Sequence, residues 1–194
     1  MGPAARGPVG VLALQGAFAA HARTLAELGR RTVEVRTPAD LAGVEALVLP
    51  GGESTTMSKL LDSSGLRAPL AALLADGVPV FGTCAGMILL AERVTDGRPD
   101  QQGFGVVDVT VRRNGYGRQI DSFEADLAVD GLAAPFHAIF IRAPVVTEVG
   151  PRAAVLATHD GVPVLVAEGR VLVASFHPEL SHDPRLHALF LQEV

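Results

Sequence analysis

The order of apolar segments between residues 9 and 94 is the feature that most constrains the fold. Four short, mainly apolar runs, at residues 9–14, 32–36, 46–52 and 79–83, alternate with segments whose apolar spacing is helical. Apolar runs of this kind are typical of strands that helices cover on both faces. The pattern therefore predicts an α/β fold, with a central sheet between two layers of helices.

The helices predicted between these strands have recognisable ends. The first covers residues 17–29 and ends at Gly29, and the second covers 55–62 with Ser54 as its N-cap. Two further helices are predicted over residues 66–77 and 86–94.

The character of the chain changes after residue 100. Six short strand-like runs separated by turns predict an antiparallel block, and residues 184–194 predict a closing helix. Because no linker-like tract separates the two halves, we expect one domain over residues 1–194, with residues 1–8 as a flexible leader.

Composition excludes several classes of function. The 194 residues carry a formal net charge of −5, which disfavours nucleic acid or an anionic membrane as a partner. No apolar run reaches the roughly 18 residues that a membrane span needs. A single cysteine cannot form an internal disulfide, so we expect the protein in the cytoplasm.

That single cysteine, Cys84, lies in the sequence "FGTCAG", between a predicted strand and a predicted helix. A nucleophile on such a turn is lifted out of the sheet, and small neighbours permit the strained backbone. The N-terminus of the following helix favours the thiolate, and the N–H of Ala85 can face an oxyanion. The alternative interpretation is a buried structural cysteine.

A thiol nucleophile needs a base, and His177 is the best candidate because it directly follows a predicted strand. Glu179 lies two residues further on, and side chains at this spacing project to the same side of an extended chain. Its carboxylate can orient the imidazole, although a capped helix start is the simpler interpretation of "HPE" alone.

The other five histidines fit the role less well. Surface or satisfied core positions are expected for His21, His137 and His187, a solvent-facing turn for His159, and the start of a helix for His182.

Two glycine-rich turns are candidates for substrate binding. "LPGGES" exposes backbone N–H groups and makes Gly52 a second oxyanion donor, although an ordinary strand-to-helix turn is favoured if the segment is taken alone. "VRRNGYGRQ" places Arg112, Arg113 and Arg118 around a turn, as a solvated hairpin or as a clamp for a carboxylate. Arg142 follows another apolar strand, where α/β proteins bind ligands.

Taken together, "GTCAG" and "FHPE" resemble the cysteine–histidine–glutamate triad of class I glutamine amidotransferases. More specific segments resemble the glutaminase subunits of pyridoxal 5′-phosphate synthase, the PdxT/SNO family, and run from residue 12 to residue 180. They are "LALQGAF", "LPGGESTTM", "FGTCAGMILLA", "GRQIDSFEADL", "FIRAP" and "SFHPEL".

The resemblance implies a three-layer fold of the class I glutamine amidotransferase type, with a mixed central sheet and helices on both faces. It also assigns roles to individual residues. It implies Cys84, His177 and Glu179 as the triad, Gly52, Glu53, Ser54, Arg113, Ile141 and Arg142 as the L-glutamine site, and Gln15 and Gly16 as a loop near the active site and the partner surface.

The activity that the resemblance implies is hydrolysis of L-glutamine, with ammonia passed to a PdxS-type barrel subunit in a large hetero-oligomer. Neither a metal nor a cofactor is expected, since pyridoxal 5′-phosphate would be the product of the complex. Three alternatives stay open: a glutaminase for another synthase, a γ-glutamyl hydrolase or peptidase on the same scaffold, and a non-catalytic binding subunit.

Overall fold

The computed structural model describes residues 7–97, 102–113 and 122–194. Most of the predicted leader and the segment that contains Arg118 lie outside these residues. The strands are β1 (Val9–Leu12), β2 (Thr32–Val35), β3 (Ala46–Leu49), β4 (Val80–Thr83), β5 (Ala91–Val94), β6 (Val107–Arg112), β7 (Ser122–Leu127), β8 (Phe136–Ile141), β9 (Val145–Val149), β10 (Ala154–His159), β11 (Val162–Glu168) and β12 (Val171–Ala174). The helices are α1 (Phe18–Glu27), α2 (Ser54–Ser63), α3 (Arg67–Ala75), α4 (Ala85–Leu90) and α5 (Arg185–Phe190), with 3₁₀ turns at Pro38–Leu41, Pro178–Leu180 and Leu191–Glu193.

Seven strands form the central sheet, in the order β10-β11-β12-β4-β3-β1-β2. The five strands from β12 to β2 run parallel, and β10 and β11 complete the sheet in antiparallel pairing. The sheet is therefore mixed, as predicted. The strands at its centre are apolar along their whole length because both of their faces are covered.

Alternate side chains of the central strands pack into two hydrophobic cores, one on each face of the sheet. In β3, Leu47 and Leu49 pack against helices α2, α3 and α4, whereas Ala46 and Val48 face the opposite core. That second core contains Leu25 of α1 together with residues of α5. Helices thus cover both faces of the sheet, and the predicted three-layer α/β architecture is confirmed.

Two smaller sheets flank the central one. β5, β6 and β9 form one of them, and the hairpin of β7 and β8 forms the other. The N–H of His177 donates a hydrogen bond of 2.8 Å to the carbonyl oxygen of Ile139, which ties β8 to the chain that follows β12. No helix in the described ranges is long and apolar enough to cross a bilayer.

The structure corrects the helix predicted over residues 86–94. Helix α4 ends at Leu90, and Ala91 has extended backbone angles that begin β5. Ala91 and Val94 pair in parallel with residues of β6. Tertiary strand pairing therefore overrides the apolar spacing, which is ambiguous in so short a segment.

The second half of the chain also differs from its prediction. It is not uniformly antiparallel, because β12 pairs in parallel with β4 and β6 in parallel with β5. The sequence does not predict strand β9, since VVTEV is too short to show a clear period. The closing helix is shorter than predicted, since its last turn is a 3₁₀ turn.

Candidate active site

The predicted site residues follow four neighbouring parallel strands of the central sheet. Gly16 follows β1, Gly52 follows β3, Cys84 follows β4 and His177 follows β12. Because the carboxyl ends of parallel strands lie at one edge of a sheet, these four segments meet there. The topology thus brings together residues that are up to 161 positions apart in the sequence (177 − 16).

Cys84 occupies a strained turn between β4 and α4. Its φ of 50° and ψ of −105° are unusual for a residue with a side chain, and its N–H donates a 2.8 Å hydrogen bond to the Ala174 carbonyl. A Cβ added to Gly86 would lie 1.9 Å from the Leu49 carbonyl oxygen, and one on Gly82 would lie 2.9 Å from the Gly86 backbone. Both flanking glycines are therefore required for the turn to pack.

His177 lies between the thiol and a buried carboxylate. Its Nδ1 is 2.8 Å from Oε1 of Glu179, within the 3₁₀ turn that begins at Pro178. Burial lowers the pKa of His177, but hydrogen bonds with Cys84 and Glu179 outweigh burial and raise it to about 10. The imidazolium form is therefore favoured at neutral pH.

An open cleft of about 330 Å³ lies above the thiol. Nine of the predicted site residues line it: Gly16, Gly52, Glu53, Ser54, Cys84, Arg113, Ile141, Arg142 and His177. Three other predicted residues do not line it: Glu179 is buried beneath His177, and Gln15 supports the neighbouring loop. The third, Ala85, is the first residue of α4, so its N–H has no acceptor within the helix. The sequence did not predict the lining residues Ala17, Gly51, Ile88 and Leu180.

Two loops beside the thiol, one with Gln15 and Gly16 and the other with Gly51 and Gly52, pack closely on each other. The Gln15 side-chain oxygen accepts a 3.0 Å hydrogen bond from the Glu53 N–H. Gly16 has a φ of 83°, and a Cβ there would lie 1.8 Å from the Gly51 carbonyl oxygen. Gly52 has a φ of 155°, a conformation that side chains rarely adopt. Glycine is therefore needed at position 16 for the close packing and at position 52 for the backbone conformation.

Glu53, rather than Ser54, caps helix α2. Its carboxylate accepts hydrogen bonds from the N–H groups of Thr55 and Thr56 at 3.0 and 2.7 Å. Arg113 donates to the same carboxylate at 3.0 Å. Burial works to raise the pKa of Glu53, but the two backbone hydrogen bonds and those from the threonine side chains lower it to about 2. The prediction of a Ser54 cap is wrong because the longer Glu53 side chain reaches both free N–H groups, whereas Ser54 is buried as the first helical residue.

Ile141 and Arg142 border the cleft opposite these loops. Arg142 has a φ of 44° directly after β8, so the backbone turns sharply where the strand ends. The structure gives Arg142 no ion pair with another described residue. Arg142 lines the cleft, so its guanidinium can meet an anionic group of a ligand there.

A buried histidine pair near the triad was not predicted as functional. Burial was one of two expectations for His21 and His187, and both are 0% exposed. His21 Nε2 lies 3.3 Å from Oε2 of Glu179. No local signal reveals this contact, since three separate elements meet there. His159, expected in solvent, is in fact only partly exposed, because it stacks on Phe123 and Phe140.

No group of three or more His, Cys, Asp or Glu side chains within the described ranges is arranged to hold a metal ion.

Comparison with known sequences places the chain in a family. The sequence profile of the SNO glutamine amidotransferase family matches residues 11–194. A curated relative from Deinococcus radiodurans, the pyridoxal 5′-phosphate synthase subunit PdxT, is 56% identical over 186 residues, which cover 94% of this chain and 95% of the relative.

Solved structures agree in fold. A crystal structure of a glutamine amidotransferase has a TM-score of 0.90 and 49% identity, and the match covers 96% of this chain and 98% of that one. A glutamine amidotransferase from Thermotoga maritima has a TM-score of 0.63 at 16% identity, covering 98% and 93% of the two chains, so this likeness shows the fold alone. The chain belongs to the SNO glutamine amidotransferase family.

Proposed function

We propose that this chain is the glutaminase subunit of a pyridoxal 5′-phosphate synthase. It hydrolyses L-glutamine to L-glutamate and ammonia, and a PdxS-type barrel subunit consumes the ammonia within a large hetero-oligomer. The observation that carries the proposal is the placement of His177 between Cys84 and Glu179, at the floor of the cleft. The similarity to PdxT relatives over nearly the whole chain supports the choice of synthase.

In the first half-reaction, the Cys84 thiolate attacks the γ-carboxamide carbon of glutamine. The protonated His177 ring beside the thiol favours the thiolate and then donates its proton to the departing ammonia. The C–N bond breaks and a γ-glutamyl thioester remains. The N–H groups of Gly52 and Ala85 stabilise the oxyanion that forms during attack.

In the second half-reaction, water hydrolyses the thioester. His177, now neutral, removes a proton from the water while the oxygen attacks the thioester carbonyl. The C–S bond breaks, L-glutamate leaves and the thiolate–imidazolium pair is restored. Glu179 holds the ring in one orientation through both steps, because its Oε1 is 2.8 Å from His177 Nδ1.

The charges around the cleft suit an amino acid. Arg142 has no ion pair with another described residue and can meet the α-carboxylate of glutamine. The ionised Glu53 can meet the α-ammonium group, with Arg113 holding its carboxylate in place at 3.0 Å. Ser54 and Ile141 complete the walls. The proposed site would thus distinguish free glutamine from a simple amide.

The loop that contains Gly51 and Gly52 suggests that the partner controls activity. Gly52 can rotate through backbone angles closed to other residues, and the loop is held by the Gln15–Glu53 hydrogen bond at the surface. We therefore expect the free chain to be nearly inactive until a partner fixes this loop. We also expect the protein to work in the cytoplasm and to use no cofactor of its own.

The decisive experiment measures ammonia release from L-glutamine by the purified chain, alone and with a PdxS-type partner. Cys84→Ala and Cys84→Ser are the matched variants, and Leu25→Ala serves as a control for a buried change elsewhere. Activity that requires the partner and vanishes in both Cys84 variants would support the proposal. Equal activity with and without the partner would contradict the control by the partner. If no ammonia is released even with the partner, while the Cys84 thiol still alkylates rapidly, the chain would serve a different synthase.

A further inference from the structure

A buried pair of histidines contacts the second carboxylate oxygen of Glu179. His21 on α1 and His187 on α5 are both 0% exposed, and His21 Nδ1 lies 2.9 Å from His187 Nε2. The other ring nitrogen of His21 lies 3.3 Å from Glu179 Oε2. That oxygen is buried and accepts no hydrogen bond from any residue the structure describes. His21 is therefore the polar side chain that faces it.

Burial keeps both histidines neutral. It lowers the pKa of His21, against the attraction of Glu179, and it lowers the pKa of His187 to about 3. Burial opposes ionisation of Glu179 too, but its hydrogen bond with His177 lowers the pKa of this carboxyl. A carboxylate thus faces a neutral imidazole that carries one N–H.

The negative charge of Glu179 selects one tautomer of His21. With the proton on Nε2, the positive end of the N–H dipole lies beside Oε2 of Glu179, at an N···O distance of 3.3 Å but without hydrogen-bond alignment; with the proton on Nδ1, a lone pair would lie there instead. In the favoured tautomer, Nδ1 is an acceptor and receives the Nε2–H of His187 at 2.9 Å. Thr83 Oγ1 lies 3.3 Å from His21 Nε2 and can accept from the same N–H.

We infer that His21 is a positioning residue for Glu179, and that His187 fixes the tautomer in which His21 does this. The N–H dipole beside Oε2 favours the ionised carboxylate in the orientation that meets His177. The order of contacts is then His187, His21, Glu179, His177 and Cys84, from the core to the cleft. Only the last two touch the substrate.

A packing role alone is the competing explanation. The ring of Phe81 lies 6.4 Å from that of His21 and 5.6 Å from that of His187, so both histidines also fill space in an apolar core. A packing role requires a side chain of suitable volume at position 21. The positioning role requires an N–H directed at Glu179, which a glutamine can supply and a leucine cannot.

The test compares His21→Gln with His21→Leu, and uses Leu25→Ala as a buried control on the same helix. The inference rests on the proposed glutaminase reaction, so two readouts are needed. The first is kcat and KM for glutamine in the complex with the partner. The second is the pH dependence of Cys84 alkylation by iodoacetamide in the free chain, which requires neither glutamine nor the partner.

Glu179 is faced by His177 from its own turn and by His21 from α1, with His187 of α5 behind His21 and Cys84 behind His177. Loss of the favourable electrostatic contact with His21 makes Glu179 easier to protonate. In His21→Leu we expect kcat to fall roughly 10- to 100-fold with little change in KM. The acid limb of the alkylation profile should move to higher pH. His21→Gln should stay near wild type in both readouts.

His187→Phe tests the tautomer and remains informative if His21→Leu does not fold. It leaves Nδ1 of His21 without its donor, so kcat should fall less than in His21→Leu. In a His21→Gln background the same substitution should have no further effect on kcat. The inference is overturned if His21→Leu lowers only thermal stability, as Leu25→Ala does, or if the His187→Phe effect is unchanged in the His21→Gln background.

Discussion

The two sides of the cleft are built in different ways. On the triad side, Cys84 and Glu179 are 6% and 5% exposed, and the backbone of Cys84 is bonded to the sheet through Ala174. On the loop side, the side chain of Glu53 is 48% exposed, and its backbone N–H donates one hydrogen bond to the side-chain oxygen of Gln15. One side is part of the core, and the other lies on its surface.

This difference assigns separate tasks to the two sides. The buried contact of His177 with Glu179 is already formed in the single chain, so this contact does not require a partner. The loop side depends on contacts that are exposed to water and contribute little energy each. We therefore expect a partner to change the loop side at low cost while the triad side stays fixed, which would couple the proposed activity to a second protein.

The largest expected effect comes from a substitution on the triad side. Glu179→Gln keeps the shape but presents an amide N–H to His177, which forces the wrong imidazole tautomer. We expect kcat of ammonia release by the complex to fall roughly 10³- to 10⁴-fold, as for other orienting carboxylates. Steady-state assays at saturating glutamine measure this directly, with the exposed Glu27→Gln as a control. A loss of less than tenfold would mean that Glu179 does not orient the base.

The next largest effect should come from the contact between the two loops. Gly16→Ala would place a Cβ 1.8 Å from the Gly51 carbonyl oxygen, so the loops must separate. Displacement of the oxyanion loop by about 1 Å should lower kcat roughly 100-fold. The melting temperature should fall by only a few degrees, the change that about 1 kcal/mol of backbone strain produces in a chain of this size.

Gly29→Ala is the matched control for that substitution. Gly29 also has a positive φ, of 75°, but a Cβ there meets no atom within 4 Å. It introduces similar backbone strain, about 1 kcal/mol, without moving the loops. If both variants lose activity equally, backbone strain rather than loop contact would be responsible.

The features that the sequence could predict are those formed by consecutive residues. The strand-turn-helix pattern around Cys84 and the spacing of His177 and Glu179 are local, because the elbow and the turn are formed by consecutive residues. These segments predicted the strained turn at Cys84 and the contact of His177 with Glu179, and the structure shows both. The order of strands in the sheet then brings them together, and the sequence did not predict that order, because β12, which precedes His177, pairs in parallel with β4 although its half of the chain was expected to be antiparallel.

The parts that the sequence did not predict depend on contacts between distant elements. Residue preference assigns the N-cap of α2 to Ser54, whereas the Glu53 carboxylate occupies the cap and also pairs with Arg113, 60 residues away. The contact of His21 with Glu179 joins α1 to the turn after β12. Nothing in either local sequence shows that these groups meet.

A third prediction concerns substrate binding on the loop side. Arg113→Met removes the guanidinium that holds Glu53, while the triad stays intact. We expect KM for glutamine to rise up to roughly fivefold with kcat reduced less than twofold, because one ion pair at a half-exposed site contributes at most about 1 kcal/mol. Arg31→Met, an exposed arginine at the start of β2, should leave KM unchanged. A fall in kcat without a change in KM would contradict a role in binding.

The smallest effect should appear in the pH dependence of stability. The pKa of Glu53 is about 2 in the folded chain against an ordinary value of 4.5, so its stabilising contribution is complete above pH 4.5 and is lost as the pH falls towards 2. Glu53→Gln should therefore lower the urea midpoint slightly at pH 7, and the curves of variant and wild type should converge near pH 2. Thr56→Val, which removes only the side-chain donor, should give an intermediate slope. If the plots of urea midpoint against pH run parallel for variant and wild type, the helix N-terminus does not hold the carboxylate. The loop side would then lack the contact that orients Glu53 towards the cleft.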